Sequence, residues 1–121
     1  MSAHKTLVEQ YFEGFRRSDH ASILECLTDD VVWDLPGFRY LEGKDAFDGE
    51  IENEEFVGSP ELVLDRLVEE GDTVVAIGSG VGTHRSGRRH PFAYCDVFTF
   101  RGPLICRVES YLVTLPDDAA T

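Results

Sequence analysis

Residues 73–115 read TVVAIGSGVGTHRSGRRHPFAYCDVFTFRGPLICRVESYLVTL, and the fold turns on how they are read. Three apolar, alternating runs are separated by the short turn sequences SGR and RGP, which predicts three strands in an antiparallel meander. In the central run, 92–100, alternation puts Phe92, Tyr94, Asp96, Phe98 and Phe100 on one face and Ala93, Cys95, Val97 and Thr99 on the other. A carboxylate among four rings stands where its ionised form is most expensive. Three readings of Asp96 are open. It is satisfied by an arginine or by backbone donors, or turned out to solvent by a bulge. Or it sits in a pocket where desolvation keeps it protonated and able to donate a hydrogen bond.

On the flanking strands the inward positions are expected to be Ser79, Val81 and Thr83, then Val108, Ser110 and Leu112. Gly78, Gly80 and Gly82 would then share the opposite face, where another backbone or sheet approaches closely. They lack the G-x-G-x-x-G spacing and precede no helix, so a phosphate cradle is not indicated.

Upstream, ELVLDRLVEEGD (61–72) suggests a further strand, a helix being the alternative. Residues 3–17 carry Leu7, Val8, Tyr11, Phe12 and Phe15 at helical spacing. Ser18 or Asp19 would cap a second, short helix burying Ile23, Leu24 and Leu27. VVWDL reads as a strand ending at the Pro36–Gly37 turn, with Trp33 and Leu35 facing one way and Asp34 the other. A third short helix is expected around 44–48. The acidic cluster Glu50, Glu52, Glu54 and Glu55 reads as a solvated face, since the ligand spacing of a calcium loop is absent. Helices first and an antiparallel sheet after them is an α+β order, the helices covering one face of a curved sheet.

The 121 residues suffice for one domain, spanning 1–121. A net charge of −12 argues against nucleic acid and anionic membrane as partners and for a neutral substrate, or one gripped by a local pocket. Cys26, Cys95 and Cys106 fit no zinc pattern and are expected as reduced core thiols. No metal or cofactor is indicated. MSAHKTLVEQ turns amphipathic without an apolar leader and no run is long enough to span a bilayer, which predicts a cytoplasmic protein. His84 and His90 flank the RSGRR turn, and His90 is placed to reach a pocket mouth.

Two blocks, VEQYFEGFRRSDHASILECLTDDVVWDLP and DVFTFRGPLICRVESYL, resemble the NTF2-like superfamily, and within it the SnoaL-like polyketide cyclases and Δ5-3-ketosteroid isomerases. The resemblance implies a cone of curved, mostly antiparallel sheet covered by N-terminal helices. It places Tyr11 and Asp96 on the isomerase pair that donates to a substrate oxyanion. At the position of the isomerase base this chain has Leu35, and Asp34, one residue earlier, is the candidate base. Ser110 falls where limonene-epoxide hydrolases carry a catalytic aspartate. The expected ligand is a small apolar carbonyl compound, held also by Phe15, Trp33, Leu35, Val81, Phe92, Tyr94, Phe98, Val108, Ser110 and Leu112. The reaction would be an isomerisation or cyclisation, the alternative being a ligand-binding module without catalysis. A homodimer through the outer face of the sheet is expected.

Overall fold

The computed structural model describes residues 2–52, 56–58 and 60–116, so Glu54 and Glu55 of the acidic cluster lie outside the described residues. Helix α1 spans Ala3–Arg16, capped by the Ser2 side chain, which accepts from the Lys5 N–H at 3.0 Å. Its stripe buries Val8, Tyr11 and Phe12. Gly14, unfavourable for the helix in isolation, is the point of helix–helix contact. A methyl there would lie 2.6 Å from Ile23 of α2 (His20–Leu24). Asp19, rather than Ser18, caps α2, accepting from the Ser22 N–H at 3.1 Å.

Strand β1 runs Leu27–Leu35, starting earlier than VVWDL suggested. The polar TDD is strand, because Leu27 already pairs with Ile105 before an irregularity in register. The Pro36–Gly37 turn leads into β2 (Arg39–Glu42), which alternation did not reveal, and α3 follows at Lys44–Glu50. Then come β3 (Glu61–Glu70), β4 (Thr73–Thr83), β5 (Arg89–Arg101) and β6 (Leu104–Thr114). They form one curved open sheet of order β2-β1-β6-β5-β4-β3. Among the described residues only the β1–β6 pair is parallel; the β4–β5–β6 meander is antiparallel, as expected, and so are the β1–β2 and β3–β4 pairs.

One strand face is corrected. On β4 the buried positions are Val74, Ala76, Gly78, Gly80 and Gly82, so Val81, together with Ser79, faces the outer side. The reason is volume. A methyl on Gly78 would lie 2.5 Å from the Tyr94 hydroxyl, and one on Gly80 2.6 Å from the Phe92 ring. The glycines therefore make room inside for rings of β5, and they no longer argue for close approach of a second copy. The three cysteines are free. Cys26 is buried, its thiol pushed up to about 12 by that burial, whereas Cys95 and Cys106 are half-buried rather than core residues. Among the described residues no helix is long and apolar enough to cross a membrane.

Candidate functional site

Asp96 lies opposite Ala76 on β4 and Ser110 on β6, facing α1 across the concave side of the sheet. It is 7% exposed, and Oδ1 is buried without a hydrogen-bond partner among the described residues. Burial pushes its carboxyl up from 3.8 to about 7, with the Ser110 hydroxyl pulling the other way. Ser110 is itself oriented. Its Oγ accepts from the Trp33 indole N–H at 3.0 Å, which leaves the hydroxyl proton free to turn toward the carboxyl opposite.

Tyr11 reaches the same space from α1, 2% exposed, its ring meeting Phe15 at 4.9 Å and Phe98 at 5.0 Å between centroids. Its phenol is held well above its ordinary range, first by burial and then by the nearby Asp96 and Cys26, so it remains a donor. Tyr94 is pushed up to about 12, again mainly by burial, but its hydroxyl is committed: it donates to the Val63 carbonyl at 2.9 Å.

These groups border a small chamber of about 140 Å³. Of the positions anticipated from the sequence, Tyr11, Asp96, Phe15, Trp33 and Leu35 line it, and so do Phe92, Tyr94, Ser110 and Leu112. Phe98 and Val108 are fully buried core residues and do not reach its surface. Val81 is on the outer side. Asp34 is a correction as well. Strict alternation turns it away from Trp33 and Leu35, and its Oδ2 accepts from Arg107 Nη2 at 3.0 Å on the outer face.

A second, larger cavity of about 430 Å³ adjoins the first and shares Trp33, Leu35, Pro60, Phe92 and Leu112 with it. Part of its wall comes from the end of α3 and the residues after it, where the sequence suggested a solvated acidic face: Glu50 and Glu52 border the cavity. Glu50 pairs with Arg39 at 3.3 Å. Glu52 meets His20 Nε2 at 2.6 Å, while His20 Nδ1 meets Asp48 at 2.5 Å. Both carboxylates raise the imidazole's affinity for its second proton. His90 lines the cavity from β5, edge-on to Phe56.

Fold and cavity define the class: an α+β chain whose N-terminal helices close over a curved sheet, with apolar space between them. Residues 8–108 match the SnoaL-like domain, and the chain belongs to that family. Among solved structures it is similar to an NTF2-like protein of unknown function from Burkholderia pseudomallei (22% identity, 93% of this chain and 92% of that one, TM-score 0.85). It is likewise similar to a protein from Xanthomonas campestris provisionally named a polyketide cyclase (25%, 90% and 89%, 0.78). A third is an LEH-like epoxide hydrolase from M. tuberculosis (19%, 92% and 82%, 0.78). These likenesses speak for the fold and not for a shared reaction. No curated protein matches the chain.

Proposed function

We propose that the protein binds a small, largely apolar carbonyl compound and catalyses its isomerisation or cyclisation, with Tyr11 and Asp96 donating to an enolate-like oxygen. The observation that carries this reading is the unpartnered, buried Oδ1 of Asp96, in a chamber that also holds the Tyr11 phenol. With its titration near neutrality, Asp96 can hold a proton at the moment negative charge develops on the substrate oxygen, and donors so placed are worth about 3 kcal/mol each in such sites. The Trp33–Ser110 hydrogen bond holds the residue beside the carboxyl in one geometry. The reading includes a homodimer. Val63, Val68, Tyr111 and Val113 leave apolar surface exposed on the outer face of the sheet, the face expected to meet a second copy.

A phenol series followed by ultraviolet absorbance tests the site, because a bound phenolate imitates an enolate. Tyr11→Phe and Asp96→Ala are each expected to weaken binding about 10- to 100-fold. Affinity for the phenolate should decline as pH rises through about 7, where Asp96 ionises and repels it. Unaltered binding in both variants, or none in the unaltered protein, sinks the oxyanion reading.

A second reading, binding without catalysis, is favoured by one observation: Leu35 stands where a base would be, and Asp34 is held by Arg107 on the far face. Asp34→Ala is therefore expected to change phenol affinity less than about twofold. Deuterium exchange at the α-carbon of an enolisable ketone separates the two readings. Exchange that disappears in Asp96→Ala supports catalysis, and exchange at the buffer rate supports the binding module.

A further inference from the structure

The two cavities adjoin, and each has a polar end. Five residues, Trp33, Leu35, Pro60, Phe92 and Leu112, border both spaces, so the inner chamber and the outer one share an apolar wall along which a long ligand could lie. Strand β5 supplies a group to each end. Asp96 and His90 are six residues apart and so project to the same side of the sheet, about 20 Å apart along the strand. Between them on that side stand Phe92 and Tyr94, both ringed and both lining the inner chamber.

Each group at the outer end has a different standing. The Glu50 and Glu52 carboxylates are occupied by Arg39 and His20. His90 has no such partner: the described residues give its ring two aromatic neighbours, Phe56 at 5.5 Å and His84 at 5.9 Å between centroids, and no hydrogen bond. Gly82, directly opposite His90 on β4, keeps this corner open for Phe56. A methyl there would meet that ring at 3.2 Å. An imidazole packed on aromatic rings at the margin of an apolar cavity, its nitrogens still available, is a hydrogen-bonding end stop.

We propose that the outer chamber is a second subsite, in which His90 hydrogen-bonds an uncharged oxygen at the far end of an elongated, flat, apolar ligand. The near end of that ligand occupies the Tyr11–Asp96 chamber, and the proposal rests on the oxyanion reading for that end alone. The far oxygen is a hydroxyl or carbonyl and not a carboxylate, because Glu50 and Glu52 border the same space in a chain of net charge −12.

The test compares two rigid rods, 4-hydroxy-p-terphenyl and 4,4″-dihydroxy-p-terphenyl, with 4-nitrophenol as a short probe, in the unaltered protein, His90→Phe and Asp96→Ala. The second hydroxyl should tighten binding about three- to tenfold, the worth of one neutral hydrogen bond. That preference should vanish in His90→Phe, which keeps the ring and removes its nitrogens, while 4-nitrophenol binds that variant as before. A diol with no advantage, or an advantage that persists in His90→Phe, overturns the subsite. A terphenyl carrying a carboxylate at the far end that outbinds the diol overturns the uncharged assignment. Should the diol preference depend on His90 while 4-nitrophenol binding ignores Asp96, the far end stands and the oxyanion reading falls.

Discussion

At pH 8, Asp96→Asn is expected to be more stable than the unaltered protein, by up to about 4 kcal/mol in unfolding free energy. The gain comes from proton linkage. A carboxyl that titrates at 3.8 when exposed and at about 7 in the fold binds its proton more tightly in the folded state. Between those values the folded chain holds more protons than the unfolded one, so stability falls as pH rises from about 4 to about 7 and is level beyond. Asparagine has the same shape and no charge to bury, so it removes this slope, and the two proteins converge near pH 4. Urea unfolding of both across that range measures the difference directly. Other titrations cancel in the subtraction. His20, whose affinity for its proton is raised by Asp48 and Glu52, stabilises the fold at low pH and loses that effect as pH rises, equally in both proteins. A difference independent of pH would show that Asp96 ionises freely in the folded state, and its role as a proton donor would then be untenable. A stabilised variant that also binds phenolate less well would mean that the protein retains a destabilising acid for the sake of its site.

The meander was legible because β4, β5 and β6 alternate over eleven or more residues and the turns between them are short. Once that register stands, Asp96 opposite Ser110 follows from pairing alone. The exposed four-residue strand β2 has no buried face to impress a period on the sequence, so it left no signal. The start of β1 was hidden for a related reason: Asp29 and Asp30 are exposed strand residues that read as a loop.

Legibility of the site divides along the same line. Tyr11, Asp96, Ser110 and Leu112 sit on long periodic elements, and their inward direction could be read from spacing. The opposite orientation of Asp34 was readable from alternation too, and the structure gives it a partner in Arg107. By contrast, the wall formed by Glu50, Glu52 and Phe56 comes from a stretch without period, and the Trp33–Ser110 hydrogen bond joins residues 77 positions apart across the parallel β1–β6 pair. Neither has a local signature. On β4 the pattern itself misled, because hydrophobicity favours Val81 as the inward residue whereas volume admits only glycine.

The same lack of space makes the other large effect: Gly78→Ala is expected to cost about 3 kcal/mol or more, or to prevent folding. The backbone of Gly78 does not lie in the left-handed region, so conformational freedom is not what requires a glycine there. Space is. An added methyl would collide with the Val63 carbonyl and lie 2.5 Å from the Tyr94 hydroxyl, and these two groups are themselves hydrogen-bonded at 2.9 Å. Moving the tyrosine breaks its hydrogen bond to the Val63 carbonyl, and moving β3 breaks pairing across a strand that already carries an irregularity between Leu64 and Arg66. The preference of a strand for alanine over glycine recovers less than about 1 kcal/mol of this. Ser79→Ala, one residue on and facing outward, should stay within about 0.5 kcal/mol of the unaltered protein. Tyr94→Phe removes the hydroxyl from the clash, leaving the ring Cζ at 2.8 Å but releasing the ring from Val63, so combining it with Gly78→Ala should cost less than the separate losses together. Urea unfolding of these four variants decides the matter. Equal tolerance of alanine at 78 and 79 would mean that β4 presents the other face inward, and the chamber would then have to be rebuilt around Ser79 and Val81.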